Sequence, residues 1–414
     1  MLYSPNPFPP YQLGPLHIYE NIIDWALNAY NVPIAGHDGD KDPQVATVGA
    51  PRGSAPTPNR GQLESSLRVR AQLEKEGFPS EGPEGEWTVK GTRNRFFISA
   101  NTGHGVNAEV RGKLDAFLKE HGDEGRQVPD HIKFVTYTTR YNRSFWVTID
   151  GLEKHYDRAQ IDAERVSGAT EYRITTKNIV RITLRETGKA RALAIDGQTL
   201  TVKGAPQLTL QKTEGKWSFV KTGAWQGLHK THGLQGPIDD AFLEPFLLIR
   251  PTQIPWNDAG TKHALAMMEH FDRVYAMNYR AHPRHKDDVD VTKEDFKKYN
   301  VVLFGDPGSN KWIGKMIKSL PLKWTKDAIT IEGRSYSAGN NLPVLAYPNP
   351  LNPSKYVVLN TGLTISDREY NADYAMPRFG DIAVLKAGSP VDAPEIVWAA
   401  LFDERWCLPV DSRQ

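Results

Sequence analysis

Cysteine is almost missing from this sequence. Cys407 stands alone in 414 residues, which excludes an intrachain disulfide framework and any zinc or iron–sulfur centre built on several thiolates. Long apolar runs are missing too: stretches such as Phe246-Leu247-Leu248-Ile249 fall far short of the roughly 20 residues that span a bilayer. Charge of one sign is absent in excess, with 51 basic residues against 49 acidic and a net charge of +2. The totals therefore give no support for a nucleic-acid or polybasic membrane partner. No heptad pattern, low-complexity tract or internal repeat is present. The Pro-rich opening, Met1 to Pro10, has neither the basic nor the apolar region of a secretory signal. What is present is a 39% hydrophobic, 24% charged chain, long enough for about two to four ordinary domains.

The patterning divides it into three. Residues 1–125 alternate helix and strand: a helix-period segment over 19–29, an apolar run Val32-Pro33-Ile34-Ala35, an amphipathic helix Gln62–Glu76 closed by Gly77, a strand Arg95–Ser99 and a helix Ala108–His121. Strand–loop–helix units of this kind predict a parallel α/β sheet. Residues 126–232 switch to period-two alternation, as in Lys133–Thr138 and Tyr172–Thr176, with turn signals at Asp196-Gly197 and Glu214-Gly215. This predicts an all-β, sandwich-like domain. Residues 233–414 return to α/β, with strands over 246–250, 301–304, 343–347 and 356–360 and a helix Thr261–Met277. The chain opens on a helix with no strand before it, which reads as a start partway through a fold. The fold class expected is α/β multidomain.

Chemistry concentrates in the first segment. Asp42 follows one predicted strand and His104 follows the next, so both are expected at the carboxyl ends of neighbouring parallel strands, where α/β sheets collect ligands. A carboxylate that orients an imidazole is the acid–base half of a catalytic triad. Tyr30–Gly36, Asp40-Lys41-Asp42-Pro43-Gln44 and Thr102-Gly103-His104-Gly105-Val106 together resemble the end of the catalytic domain of prolyl-oligopeptidase-like α/β-hydrolases, most of all the large bacterial members with extra C-terminal domains. Arg140–Gly151, Gly233–Phe242 and Tyr347–Pro353 resemble accessory regions of the same proteins. The resemblance implies a partial hydrolase segment with Asp42 as triad acid and His104 as triad base, acting on an ester or amide in a small-molecule or polymer substrate, with no cofactor and no metal. It also implies a secreted or periplasmic parent. The family's Gly-x-Ser-x-Gly nucleophile elbow is absent: Ser4 is the one serine ahead of Asp42, and Gly333-Arg334-Ser335-Tyr336-Ser337 lacks the final glycine. The nucleophile is then a serine still to be identified, Ser54 among them, or a water.

Other groups carry rival readings. Asp38, Asp40 and Asp42 alternate as in a calcium loop, but Pro43 and Gly49 occupy positions that need glycine and glutamate; a looser cation site on His37, Asp38 and Asp40 stays open. His229/His232 and His282/His285 are possible ligand pairs, the latter also an anion contact. Gly305–Asn310 follows a strand and opens a helix, so its amides are candidates for an anion. Trp146, Trp217 and Trp225 are candidate sugar-stacking faces, and Asp239, Asp240 and Glu244 candidate glycosidase acids. These sustain the alternatives of a carbohydrate-binding or other non-catalytic accessory module, or a metal-assisted glycoside or phosphate hydrolase.

Overall fold

Two asparagines show how the first part of the chain is assembled. In the 3₁₀ helix Ile22–Asn31, side chains three apart eclipse, about 6 Å along the axis. Alternate residues of a strand repeat at about 6.7 Å. Asn28 and Asn31 exploit that match: the first bonds both N–H and C=O of Val135, the second both groups of Lys133, at 2.7 to 3.0 Å. Two side-chain amides thereby substitute for a neighbouring strand along a sheet edge. The helix-period segment expected over 19–29 is thus, over the described part, a 3₁₀ helix, the form that puts both amides on one line.

The computed structural model describes residues 22–41, 61–83, 85–103, 105–223, 225–364 and 378–409. These residues divide into two compact units, the described residues of 22–223 and those of 225–409. In the first, β1 (Ile34–Gly39), α1 (Gly61–Lys75), β2 (Ser80–Glu81), β3 (Glu86–Val89), β4 (Asn94–Ser99) and α2 (Ala108–Glu124) build a four-stranded sheet of order β1-β4-β3-β2. Only β1 and β4 run parallel, paired from Ile34↔Asn94 to Gly39↔Ser99. The stretch between the two predicted elements Gln62–Glu76 and Arg95–Ser99, to which the patterning assigns no strand, forms β2 and β3, two antiparallel strands that bury Trp87 and Val89. The fully parallel sheet expected here is therefore a mixed one, because tight turns at Pro83–Glu86 and Val89–Thr92 send the chain back on itself.

The remaining strands of this unit are β5 (His131–Thr136), β6 (Arg143–Ser144), β7 (Val147–Leu152), β8 (Ala159–Val166), β9 (Glu171–Lys177), β10 (Ile179–Arg185), β11 (Ala192–Ile195), β12 (Gln198–Thr201), β13 (Gln207–Thr213) and β14 (Lys216–Phe219). They form two five-stranded sheets, β14-β13-β10-β7-β6 and β12-β11-β9-β8-β5. Alternate residues of both sheets, Ile149, Ile182 and Leu210 from one and Phe134, Ile161, Ile174 and Leu193 from the other, share one core with Trp146 and Trp217. The expected turns are two-residue hairpins: Asp196-Gly197 and Glu214-Gly215 both take positive φ, the conformation that matches strand twist.

The second unit holds β15 (Phe246–Arg250), α3 (Asp258–Tyr279), β16 (His285–Asp287), α4 (Lys293–Lys298), β17 (Asn300–Leu303), α5 (Lys311–Met316), β18 (Lys323–Trp324), β19 (Ala328–Ile331), β20 (Arg334–Ser337), β21 (Asn341–Asn349), β22 (Asn352–Leu359), β23 (Ile382–Lys386) and β24 (Ile396–Ala400). Seven of them form one sheet, β16-β15-β17-β22-β21-β23-β24. Its first four strands are parallel and its last three antiparallel. Strands β18–β20 make a separate three-stranded sheet. The molecule is a β-rich, multi-unit protein. Among the described residues no helix is long and apolar enough to cross a membrane.

Candidate functional site

The carboxyl ends of β1 and β4 are laced together residue by residue. Asp40 N donates to Ser99 O at 3.2 Å and Lys41 N to Thr102 O at 2.9 Å. Thr102 N donates back to Asp40 Oδ1 at 3.1 Å, and Lys41 Nζ reaches Asn101 Oδ1 at 2.6 Å. Hydrogen bonds from Asn101, ahead of the one from Thr102, hold the Asp40 carboxyl below its ordinary value. Gly39 lets the two segments touch: a Cβ there would lie 2.0 Å from Gly103 O and 2.4 Å from Thr102 O. Asp42 and His104 lie outside the described residues, as do Ser4 and Ser54. In the sequence Asp42 directly follows Lys41, and His104 directly follows Gly103.

Sequence reasoning missed the group under this junction. Ser99, fully buried at the end of β4, has its Oγ 2.7 Å from His37 Nε2 on β1. The same oxygen accepts from Asn107 N at 3.2 Å. Asn107 is the N-cap of α2 and accepts from Val110 N. Burial pushes the His37 imidazole below its ordinary pKa, Asp38 pulls it back up and Arg111 adds to the lowering. A neutral ring is therefore favoured at this spot. The signal in the sequence was an i, i+2 relation between His37 and the turn glycine Gly39, too common to be read without the register of β1 on β4.

The rival groups are placed elsewhere or already engaged. His37 and Asp38 are consecutive strand residues and so face opposite sides of the sheet; with His37 on Ser99 and Asp40 on Thr102, the three do not converge on a cation. Gly305–Asn310, a candidate for an anion but more readily a structural strand-to-helix turn, is filled from within. The Asp306 carboxylate accepts from Gly308 N and Ser309 N at 2.9 and 2.8 Å and from Asn257 N at 3.0 Å. Trp146 and Trp217 are core residues, 0% and 2% exposed, and offer no stacking face. Trp225 stacks on His229. Asp239 is half-buried and accepts from Thr364 N and Oγ1, while buried Asp240 accepts from Tyr356 Oη at 2.8 Å; Glu244 is exposed. His282 and His285 both reach Asp272, at 2.8 and 3.0 Å, but on opposite carboxylate oxygens. Gly333 and Ser335 belong to the β19–β20 hairpin, not to a strand–turn–helix elbow. Among the described residues, Glu120, His121 and Glu124 gather possible ligand atoms within 4.8 Å, at a helix end where Arg93 already pairs with Glu124.

Comparison of the chain with known protein families, with curated proteins and with solved structures finds no match.

Proposed function

We propose that this chain hydrolyses an ester or amide bond, with His104 as general base and Asp42 as the carboxylate that orients it. The four-stranded sheet with α2 is, on this reading, a piece of an α/β-hydrolase-like sheet. The observation that carries the proposal is the cross-bonding of the two segments that lead into these residues, Lys41 N to Thr102 O above all. Two segments so joined, at the carboxyl ends of adjacent parallel strands, are the setting in which an acid and an imidazole can be brought to one place. His104 takes the proton of the attacking hydroxyl, from a serine or from water, and returns it to the leaving group; Asp42 stabilises the imidazolium between those steps. The substrate is a small molecule or a polymer carrying an acyl group.

The test is hydrolysis of chromogenic esters, amides, glycosides and phosphates by wild type, His104→Ala and Asp42→Asn, each with and without a chelator. Ester or amide turnover that falls about 10²- to 10⁴-fold in His104→Ala and is indifferent to the chelator is expected. Turnover that survives His104→Ala sinks the proposal.

A further inference from the structure

We propose that Tyr30 is a covalent acyl-acceptor site, with His131 as the base for its phenol and Asp162 as the carboxylate that orients the imidazole. The substrate class is an activated aryl ester of a short carboxylic acid. Nothing in this site draws on Asp42 or His104, so it stands apart from the hydrolase reading.

Strand alternation gathers the groups. His131 and Lys133 stand two apart on β5 and share a face, while Ile132 and Phe134 between and beyond them enter the core. On β8, Asp162 lies directly opposite Lys133 and so joins the same face. Tyr30 arrives from the 3₁₀ helix, whose next residue, Asn31, is bonded to the Lys133 backbone. Tyr30 Oη lies 3.0 Å from His131 Nδ1, and His131 Nε2 lies 2.6 Å from Asp162 Oδ1. Lys133 Nζ bonds the other carboxylate oxygen and stands 5.7 Å from the centre of the Tyr30 ring. All four side chains are part-exposed, so a solute can reach them.

Burial pushes the Asp162 carboxyl up, but bonds from Lys133 and then His131 bring it below its ordinary value. An ionised carboxylate can only accept. His131 therefore donates through Nε2–H, and Nδ1 of the neutral ring is left to accept the Tyr30 proton. Hydroxyl, imidazole and carboxylate thus stand in the order of a nucleophile, its base and the group that orients the base. Burial holds the Tyr30 phenol above its ordinary value, against the pull of Lys133. The oxygen therefore reacts by handing its proton to a base, not by ionising first. In the step, Tyr30 Oη bonds the acyl carbon as its proton passes to His131 Nδ1. The bond from that carbon to the aryl oxygen breaks, and the departing aryloxide takes the proton from the imidazolium. Tyr30 ends as an acyl ester and His131 as a neutral ring; Asp162 stabilises the imidazolium in between. Phe78, part-exposed and with its ring centre 5.4 Å from that of Tyr30, offers the aryl group an apolar wall.

The experiment exposes the full chain to p-nitrophenyl acetate across a range of pH and follows acetyl transfer to each tyrosine by peptide mass spectrometry. Wild type, His131→Gln, Asp162→Asn and His104→Ala are compared, with thermal midpoints recorded for each. Tyr141, half-exposed, is the reference phenol within the same chain. Acetylation of Tyr30 about 100-fold faster than that of Tyr141 is expected. Its rate is expected to level off once the imidazole is neutral, well before a free phenol ionises at about pH 10. His131→Gln is expected to bring Tyr30 down to the rate of Tyr141, and Asp162→Asn to slow it at least about tenfold. A cross-bridge that is purely structural would lower the thermal midpoint of His131→Gln yet leave wild-type Tyr30 no faster than Tyr141. That result, or equal Tyr30 rates in wild type and His131→Gln, overturns the proposal. The wild-type comparison decides even if His131→Gln fails to fold. Tyr30 labelling in His104→Ala is expected to match wild type, whether or not that variant loses turnover. A label that disappears with His104 assigns the reaction to the other site and overturns this one.

Discussion

At the scale of single residues, the junction is held by groups whose ionisation matters. His37 is pushed below its ordinary pKa, first by burial and then by Arg111, against the pull of Asp38. A base with a lowered folded-state pKa binds its proton less readily than the unfolded chain does. Its contribution to stability is complete above the ordinary histidine value of about 6.5 and is lost as pH falls through it. The urea midpoint is expected to drop between pH 7 and pH 5, and to drop less in His37→Gln, which has nothing to titrate; equal slopes in the two proteins would refute the assignment. Residue chemistry was only partly legible beforehand. Trp146 and Trp217 read as candidate platforms because aromatic content says nothing about which face of a strand points inward. The acids Asp239 and Asp240 read as a possible pair, yet each is committed to a different buried partner, Thr364 and Tyr356.

At the scale of elements, edge protection depends on the asparagine pair. Val135 is fully buried, so Asn28→Ala leaves both an N–H and a C=O there without their partner. A loss of about 1–3 kcal/mol is expected, measured as the change in unfolding free energy by urea titration. Asn28→Asp keeps the acceptor for Val135 N but sets a second oxygen against Val135 O, so it is expected to be no better than alanine. Stability unchanged in both variants would mean that the edge is satisfied by water. The elements themselves were largely readable: α1, α2, the β13–β14 hairpin and β17 fall within a few residues of their apolar periods, caps and turn glycines. Two features were not. The 3₁₀ geometry of Ile22–Asn31 arises from bonds to β5, more than 100 residues away in sequence, and the β2–β3 hairpin carries too short an alternation to stand out among glycines and prolines.

At the scale of the whole molecule, the second unit is organised around a buried ion pair. Lys230 and Asp381, both fully buried, meet at 2.7 Å, with Lys230 Nζ 5.0 Å from the centre of the Trp406 ring. Phe402 N donates to the same carboxylate oxygen. Burial pushes the Asp381 carboxyl up, and Lys230 pulls it back down. Gly236 gives the carboxylate room: its φ is +73°, and a Cβ there would stand 1.9 Å from Asp381 Oδ1. Removing one charge strands the other. Lys230→Met and Asp381→Asn are each expected to cost about 3–5 kcal/mol, and the double variant less than the sum of the two. Strict additivity in calorimetric or denaturant unfolding would show that the pair is not coupled.

Local physics decided much of this protein from the sequence alone. Alternation of period two, glycines at positive φ in two-residue turns, and the strand–helix succession after residue 233 are written in neighbouring residues, and they produced the sandwich and the mixed C-terminal sheet. The scarcity of cysteine and of long apolar runs likewise needed no coordinates. Tertiary structure alone decided which polar groups meet. Ser99 and His37 are 62 residues apart, and Lys230 and Asp381 are 151 apart. Strand register and the path of the chain bring such groups within 3 Å, and neither is a property of any short stretch of sequence. At Gly305–Asn310 both scales act: a local turn gives the Asp306 carboxylate the amides of Gly308 and Ser309, two and three residues on, and the fold adds Asn257 N from 49 residues away.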